Sequence, residues 1–373
     1  MDEAEWHRGN TASVKCDWGV LLFQGISIGS FPTKTRRDET RKDGIPMTMK
    51  KFVALLVTLM MVFSFASLSL AETQPLTIGI IQFAEHGSLD NCRQGFIEGL
   101  AEEGFIEGEN VVFDIQNAQA DTAICAQIAD SMAGKADMIC AIATPAAMAA
   151  FNVAQDKELP VIYTAVSDPV GCQLAGEDGA NPGQITGTSD ALPVEAQLKM
   201  IRALMPEATK IGILHTTSET NSESTLAEYR RLAPEYGFEI IDKGISTGAD
   251  IPMALDALLP QVDCTTNLTD NTVVSYLAVV LEKSQEAGKP VFGSEIEQVK
   301  LGCVAAEGIE YLELGRQTGR IAAKVLKGEA QAQDIPFEII TNSYLYVNKD
   351  AMALYGIELP AELTGRAIDV TAE

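Results

Sequence analysis

The segment ADMICAIATPAAMAAF, residues 136–151, contains a joint between a buried strand and a helix. Its apolar run ends at Thr144-Pro145, and small helix-forming residues follow. Threonine is favoured as the residue that caps a helix, and proline is tolerated in the first turn because its missing N–H would have no intrahelical partner there. The segment therefore predicts a strand that leads directly into a helix capped by Thr144, as in parallel α/β sheets.

This strand–helix unit recurs between residues 76 and 190. The apolar runs predict strands, and the segments between most of them have helical periodicity. Strands that alternate with helices pair in parallel and are covered on both faces. We therefore predict a doubly wound α/β lobe. Its strands are Leu76–Gln82, Asn110–Ile115, Asp137–Ala143, Pro160–Val166 and Ile185–Ser189, and its helices are 90–103, 122–132 and 145–154.

The same order of apolar runs appears again between residues 211 and 304. Two copies of one topology explain this repeat, whereas a single sheet would need about ten strands in one layer, which is uncommon. The sequence therefore predicts two doubly wound lobes. The matching runs are Ile211–Leu214 with Ile78–Ile81, Val262–Thr265 with Met138–Ala141, Lys289–Phe292 with Leu159–Ile162, and Leu301–Val304 with Gln184–Gly187.

Residues 49–71 have the layout of a secretory signal peptide. Two lysines precede an uncharged apolar run, and small residues end it at Ala71. We predict cleavage after Ala71; the alternative is a membrane anchor, because residues 52–71 are long enough to span a bilayer. Residues 1–48 are interpreted as an extension upstream of the true start at Met47 or Met49, with no structural role.

The remaining chain is strongly acidic. Nine of the 27 Lys and Arg residues and seven of the 52 Asp and Glu residues lie in the first 51 positions, which leaves 18 basic and 45 acidic residues in 72–373. Such a surface repels nucleic-acid phosphates and anionic lipids. It excludes nucleic-acid and membrane-surface binding and favours a soluble protein.

Six cysteines follow the predicted signal peptide. None belongs to a C-x-x-C pair or lies near a histidine at zinc-like spacing, so no metal or other cofactor is predicted. Export would permit disulfide bonds, and their pairing stays open. No cysteine directly follows the signal, so we expect no lipid anchor. The six are Cys92, Cys125, Cys140, Cys172, Cys264 and Cys303.

Polar residues follow nearly every predicted strand. Ligands of doubly wound sheets bind outside the carboxyl ends of the strands, where helices begin with free N–H groups. Two facing lobes would bring these loops into one cleft. The predicted ligand-binding residues are Phe83, Ser88, Thr144, Ala146, Ala147, Ser167, Asp168, Asp190, Glu219, Asn221, Ser222, Asp270, Asn271 and Glu295.

This set of hydroxyls, amides and carboxylates suits a small zwitterion. We expect Thr144 and the N–H groups of Ala146 and Ala147 to bind a ligand carboxylate, with a hydroxyl from Ser88 or Ser222. The ammonium would be held by Asp168, Glu219 or Asp270. Asp190, Asn221, Asn271 and Glu295 would orient these groups or the lobes. The alternative is that such acids only cap helices.

Enzyme motifs are largely missing from the sequence. His86 and His215 lie on predicted cleft loops, but neither is near a G-x-S-x-G elbow. The first strand is not followed by G-x-G-x-x-G, and the chain contains no P-loop. Paired carboxylates leave a secreted sugar-modifying enzyme as an alternative. We therefore favour binding without chemical change.

The chain resembles periplasmic substrate-binding proteins of ABC transporters, in the family associated with tryptophan and other aromatic amino acids. The resemblance includes the motifs ATPAA, SDPV and GRQTG and runs through almost all of residues 77–360. The matching stretches are Ser88–Asp90 with Gly95-Phe96, Ile142–Ala147, Val166–Val170, Gly187–Asp190, Glu219–Ser222, Thr269–Asn271, Gly308–Gly319 and Val347–Pro360.

The resemblance implies a type I periplasmic-binding-protein fold, with two lobes joined by three chain crossings that act as a hinge. Residues 77–191 and about 309–330 would form the N-terminal lobe, and 192–308 and about 331–373 the C-terminal lobe. The helix from Tyr311 to Leu326 would pack on the first lobe, although its place in the chain suggests the second. Ser343–Val347 would return to the second lobe.

The resemblance also implies a function. The protein would be a periplasmic receptor of an ABC importer that captures an amino acid and delivers it, as a monomer, to a permease and its ATPase. A ligand-sensing domain of a signalling receptor would share the fold and stays an alternative. If the ligand is aromatic, the candidates for ring stacking are Phe83, Tyr163, Tyr276 and Phe292.

Overall fold

The computed structural model describes residues 74–340 and 342–371, together with 49, 51 and 52. The elements below all lie in the compact unit Ala71–Glu373. The predicted extension 1–48 and signal peptide 49–71 fall outside the described residues, apart from those three. No helix within the described residues has the length and hydrophobicity needed to cross a bilayer.

The first lobe is built on a six-stranded parallel sheet. Its strands run in the order β11-β5-β4-β3-β1-β2, where β11 is the short strand Glu338–Ile339 near the C-terminus, and all neighbouring pairs are parallel. The sheet is covered by helices, and its central strands are fully buried, as the apolar runs predicted. The elements are β1 (Leu76–Gln82), α1 (Gly87–Glu102), β2 (Val111–Asn117), α2 (Thr122–Met132), β3 (Met138–Ile142), α3 (Thr144–Ala154), β4 (Val161–Thr164) and β5 (Ile185–Ser189).

The second lobe repeats this plan. Strands β7-β6-β8-β9 form a parallel sheet. Backbone hydrogen bonds from Val304 N–H to Val291 O (2.8 Å) and from Gly293 N–H to Ala305 O (2.9 Å) place β10 beside β9. The elements are α4 (Val194–Leu204), β6 (Lys210–Thr216), α5 (Thr220–Leu232), β7 (Glu239–Ile245), α6 (Ile251–Leu258), β8 (Cys264–Thr266), α7 (Asn271–Ser275), α8 (Leu277–Glu286), β9 (Val291–Phe292), α9 (Ile296–Lys300) and β10 (Ala305–Gly308).

The two lobes therefore have one topology. The order β2-β1-β3-β4-β5 in the first lobe corresponds to β7-β6-β8-β9-β10 in the second. Each lobe has its own hydrophobic core. The predicted repeat is confirmed, and the alternative of a single large sheet is wrong.

The C-terminal elements join both lobes. Helix α10 packs along α1 of the first lobe, and β11 pairs in parallel with β5, with Glu338 opposite Thr188. Strand β12 then pairs antiparallel with β10 of the second lobe. The elements are α10 (Tyr311–Leu326), β11 (Glu338–Ile339), β12 (Tyr344–Val347), α11 (Lys349–Leu354), α12 (Ala361–Thr364) and β13 (Ala367–Asp369).

One expected boundary needs correction. Residues from about 331 onward were expected in the second lobe, but β11 extends the sheet of the first lobe. The side chain of Asn181 also binds this segment, since its Nδ2 donates to Ile335 O at 2.6 Å. The third crossing therefore lies between Ile339 and Tyr344.

Glycines bring α1 and α10 together backbone to backbone. A Cβ atom on Gly99 would lie 2.3 Å from Arg316 O, and one on Gly315 would lie 2.3 Å from Cys92 O. The same relation holds at Gly95 and Gly319. Residues later in α1 contact residues later in α10, so the two helices run parallel. Both therefore begin at the same end of the lobe.

This contact predicts a cost for any side chain at the interface. Gly99→Ala is expected to lower the free energy of unfolding by about 1–3 kcal/mol, because the added methyl group forces the helices apart. Gly134→Ala is the matched control, since a Cβ atom there meets nothing within 4 Å. Urea denaturation measures both variants. Equal stability of the two would show that α10 can shift away from α1 without cost.

Candidate functional site

A cavity lies between the lobes at the carboxyl ends of their strands. Its volume is about 20 Å³. It is therefore narrow. The first lobe and its crossings contribute His86, Ser88, Leu89, Ala165, Asp190 and Tyr311, and the second contributes Thr269, Asn271, Val274, Ser294, Glu295 and Gln298.

Direct contacts hold the two lobes together around this cavity. The hydroxyl oxygens of Ser167 and Thr269 lie 2.8 Å apart, and Asn91 Nδ2 donates to Glu297 Oε1 at 3.1 Å. Each pair joins a loop or helix of the first lobe to one of the second. The protein is therefore closed over the cavity.

Asp190 follows β5, and hydroxyl groups orient its carboxylate. Ser167 Oγ donates to Oδ1 at 2.9 Å, and the Tyr311 hydroxyl donates to Oδ2 at 2.8 Å. Burial raises the pKa of Asp190, and the two hydroxyl donors oppose this shift. The first residue of helix α10 thus supplies a hydrogen-bond donor for the acid that follows β5.

Glu295 caps the start of α9 from the second lobe. Its carboxylate accepts the N–H groups of Glu297 at 2.7 Å and Gln298 at 2.9 Å. The side chain is only 1% exposed. Burial raises the pKa of Glu295 to about 7; the two backbone N–H groups and the Ser88 hydroxyl oppose this rise, and the charge of Glu297 adds to it.

Within the described part of the chain, neither of these acids pairs with a Lys or Arg side chain. The twelve lining residues include no Lys or Arg. Among the described residues, 74–340 and 342–371, no salt bridge includes Asp190 or Glu295. Buried charges are costly unless they are paired. The cavity is therefore suited to a ligand that brings a positive charge.

His86 does not supply that charge. Both of its ring nitrogens are buried without a hydrogen-bond partner. Burial lowers the pKa of His86 to about 4, although Asn271 and Asp90 favour the protonated form. A neutral imidazole with free nitrogens can donate to one ligand atom and accept from another.

The first turn of α1 supplies N–H donors to the same cavity. Ser88 and Leu89 line it, and the side chain of His86 at the N-cap position makes no capping hydrogen bond. The first N–H groups of a helix have no intrahelical acceptor and bind anions well. A ligand carboxylate would therefore be favoured at this end of α1.

Two other buried acids of the second lobe have internal partners. Asp270 accepts the N–H and hydroxyl of Thr216 at 2.6 and 2.8 Å, the hydroxyl of Ser222 at 2.7 Å and the N–H of Val273 at 2.8 Å. These bonds tie the end of β6 to the start of α7. Asp270 and Ser222 therefore have structural roles, in place of the ligand contacts expected of them.

Glu219 is satisfied in the same way. Its carboxylate accepts the backbone N–H and the side chain of both Asn271 and Thr272 at 2.7–3.0 Å, and Asn221 Nδ2 at 3.2 Å. Burial and the charge of Asp270 raise its pKa to about 7. Five donors surround the Glu219 carboxylate, which does not line the cavity. Glu219 therefore joins α5 to α7 instead of holding an ammonium. Asn221 serves the same junction.

The joint after β3 also differs from its prediction. The helix begins at Thr144, and Ala143 occupies the N-cap position with φ at +82°, a strained conformation for alanine. The N–H of Ala147 donates to Ala143 O at 3.0 Å, so it is not free for a carboxylate. Thr144 Oγ1 is buried without a partner. Thr144, Ala146 and Ala147 do not line the cavity. The ligand contact that was expected of Thr144 stays a prediction.

Three other predicted residues lie beside the cavity without lining it. Phe83 is 1% exposed and packs in the core of the first lobe. Asp168 Oδ1 accepts the N–H of Gly171 at 2.8 Å. Ser167 acts through Asp190 and Thr269. Of the predicted residues, those that do line the cavity are Ser88, Asp190, Asn271 and Glu295.

The sequence did not identify the other lining residues as ligand contacts. Tyr311 and Thr269 lie in motifs that carried the family resemblance, and His86 was considered mainly as a catalytic candidate. Leu89 also lies in one of these motifs, and the remaining residues had no distinguishing signal; they are Ala165, Val274, Ser294 and Gln298. The six cysteines of the described part are buried and free.

Comparison with known proteins identifies relatives over nearly the whole folded unit. The family model described as ABC transporter substrate binding protein matches residues 77–371. The Tyrosine-binding protein of Clostridioides difficile (strain R20291) is 37% identical over 276 residues, which is 74% of this chain and 79% of the relative.

Two solved structures have a similar fold. One is an ABC domain in complex with L-Trp from Streptococcus pneumonia, at 31% identity and a TM-score of 0.74, covering 78% of this chain and 99% of that one. The other is the ligand-free, open structure of a substrate-binding protein with adhesive properties from Clostridium difficile, at 36% identity and a TM-score of 0.60, covering 79% and 99%. The L-Trp complex is the better match despite its lower identity, in agreement with the closed lobes seen here.

The raised pKa values predict how stability depends on pH. Glu219 and Glu295 have ordinary values near 4.5 when unfolded and values of about 7 in the folded protein. Their contribution is full below pH 4.5 and is lost as the pH rises through 7. Ligand-free protein should therefore be more stable at pH 5.5 than at pH 8, by about 1–3 kcal/mol.

Thermal unfolding at a series of pH values measures this dependence. Glu295→Gln should flatten the profile, because it removes one of the two groups. Acids with lowered pKa values, such as Asp369 at about 2, lose their charge only below this window. A melting temperature that rises from pH 5.5 to pH 8 would contradict the expectation.

Proposed function

The chain belongs to the family of ABC transporter substrate-binding proteins, and on that premise we propose that it captures an aromatic L-amino acid, tyrosine or tryptophan, between its lobes. The observation that carries this proposal is the pair of buried carboxylates, Asp190 and Glu295, that face one closed cavity without a cation. The relatives that bind tyrosine and L-Trp support the choice of ligand class.

The ammonium group of the ligand would lie between the two acids. Asp190 belongs to the first lobe and Glu295 to the second, so one ammonium pairs with both lobes at once. Hydrogen bonds between charged groups are shorter and stronger than those between neutral groups. Ligand binding would therefore stabilise the closed arrangement of the hinge.

The carboxylate of the ligand would bind at the start of α1. Ser88 and Leu89 offer backbone N–H groups there, whereas the Ser88 hydroxyl already bonds to Glu295. His86 adds a neutral ring with two free nitrogens. This arrangement replaces the expected carboxylate site at α3, whose Ala147 N–H is already bonded.

The side chain of the ligand would contact Leu89, Val274 and Tyr311. Among the described residues, Tyr311 is the only Phe, Tyr or Trp that lines the cavity. Tyr163 and Phe292 are fully buried within the cores, and Tyr276 is 45% exposed, so we assign the ring contact to Tyr311 instead. Asn271 and Gln298 would offer polar partners to a phenol or an indole N–H.

We further propose that the protein is an extracytoplasmic carrier that releases its ligand unchanged. Residues 49–71 would direct export to the periplasm and be removed near Ala71. The loaded protein would act as a monomer that delivers its ligand to a membrane permease with an ATPase. Both lobes contribute to the closed cavity, which suits a partner that recognises only the closed form.

Calorimetry with a panel of amino acids tests the ligand class. Asp190→Asn and Glu295→Gln should each weaken the binding of L-tyrosine or L-tryptophan by tenfold or more, because a charge-assisted hydrogen bond is worth about 1.5–3 kcal/mol. Asp168→Asn is the control, since this acid lies outside the cavity. Equal affinity of all three variants would refute the assigned ammonium site. Mass spectrometry of the recovered ligand checks that it is unchanged.

The hydroxyl pair between the lobes should control ligand release. Thr269→Val removes the contact with Ser167 and is expected to raise the dissociation constant about 2- to 12-fold, mainly through faster dissociation. Thr217→Val is the control, because its hydroxyl bonds within the second lobe, to Ile245 O. Stopped-flow measurements separate the two rates. An unchanged dissociation rate would show that closure does not depend on this pair.

A further inference from the structure

We propose that the closed, ligand-free protein carries a proton on Glu295 in the place of a ligand's ammonium group, and that binding of the amine releases this proton. The proposal rests on the proposed function, because it assumes that the natural ligand carries an ammonium. In the binding step, the ammonium group of the ligand would then take the place of the proton on Glu295.

The geometry of the cavity carries this inference. Asp190 and Glu295 are 5% and 1% exposed and face the same narrow space. Burial of a carboxylate without a cation favours its protonated form, and burial is the largest cause that raises the pKa of both acids. The neutral His86 ring cannot compensate the second charge.

Glu295 is the acid that takes the proton. Asp190 accepts from two hydroxyls and Glu295 from two backbone N–H groups, but Glu295 also has a second carboxylate beside it, that of Glu297, which lies 3.6 Å from Lys300 Nζ. Burial raises the pKa of Glu295 to about 7. None of the titratable groups that face Glu295 is a cation at neutral pH; they are Asp190, Glu297, Tyr311, Tyr346, Cys92, Cys303 and His86.

Glu219 provides an internal comparison. It is 2% exposed, nearly as buried as Glu295, and its pKa is also raised to about 7. Its carboxylate, however, is enclosed by five donors and lies away from the cavity. A ligand cannot approach it, so its protonation should not change on binding.

The exchange balances in atoms and charge. The ammonium enters with its three N–H bonds intact, the O–H bond of the Glu295 carboxyl breaks, and the proton leaves to water or buffer. The ammonium replaces the positive charge of the proton beside the two acids, and because the ligand also brings its carboxylate, the complex becomes one charge more negative while the released proton carries the balancing charge away. Below pH 7 the proton competes with the ligand, so the apparent affinity should fall by up to about tenfold for each pH unit.

Calorimetry counts the released protons. L-tyrosine is titrated at pH 6.0 and pH 8.5 in buffers of different ionisation enthalpy, and the slope of binding enthalpy against ionisation enthalpy gives the number of protons. With a pKa near 7, about 0.9 proton should be released at pH 6.0 and less than about 0.1 at pH 8.5. Glu295→Gln should release none, whereas Glu219→Gln and Asp168→Asn should match the parent. No buffer dependence of the parent at pH 6.0, or unchanged release in Glu295→Gln, would overturn the proposal.

Infrared spectroscopy tests the same proton without any ligand. Ligand-free protein should show protonated-carboxyl C=O absorption at pH 6.0 that disappears at pH 8.5. Because burial raises the pKa of Glu219 to about 7 as well, Glu295→Gln should remove one part of this absorption and Glu219→Gln another, whereas Asp168→Asn should leave it unchanged. If Glu295→Gln does not change this absorption, the proton does not lie on Glu295 and the inference is wrong. If the absorption behaves as expected but no amino acid binds, the proposed function fails and the proton site stands.

Discussion

The close contact between α1 and α10 determines where the cavity forms. The two helices lie far apart in the chain, yet glycines allow their backbones to touch and hold them parallel. Because both helices begin at the same end of the first lobe, His86 and Ser88 at the start of α1 lie near Tyr311 at the start of α10. Tyr311 in turn orients Asp190 after β5. The contact thus places a helix N-terminus and a buried acid on one wall.

Buried carboxylates serve two different purposes in this protein. Asp270 and Glu219 accept four and five hydrogen bonds and join the ends of strands to the starts of helices in the second lobe. Asp190 and Glu295 face the cavity and have no cation among the described residues. The first pair stabilises the loops of the second lobe, and the second pair leaves a negative potential that a bound amine can neutralise. Closure and ligand charge are therefore linked.

The family resemblance and the chemistry of the cavity support each other. The family is one of substrate-binding proteins, and the closed lobes match the L-Trp complex better than the open, ligand-free relative. Hydroxyl contacts across the cleft, a free helix N-terminus and two unpaired acids form a set suited to a zwitterion. Among the described residues that line the cavity, Tyr311 is the one we propose for contact with an aromatic side chain.

The sequence by itself determined the two α/β lobes, because alternating strand and helix patterns are local and leave few topologies open. It also predicted Ser88, Asp190, Asn271 and Glu295 as ligand-binding residues, and these four line the cavity because polar residues after parallel strands meet at one edge of the sheet. Only the tertiary structure separated these acids from Asp270 and Glu219, because the difference lies in donors that come from other loops. It likewise placed β11 in the first lobe, and it placed the start of α1 at the cavity instead of the start of α3. Both depend on contacts between distant segments, which local sequence patterns do not encode.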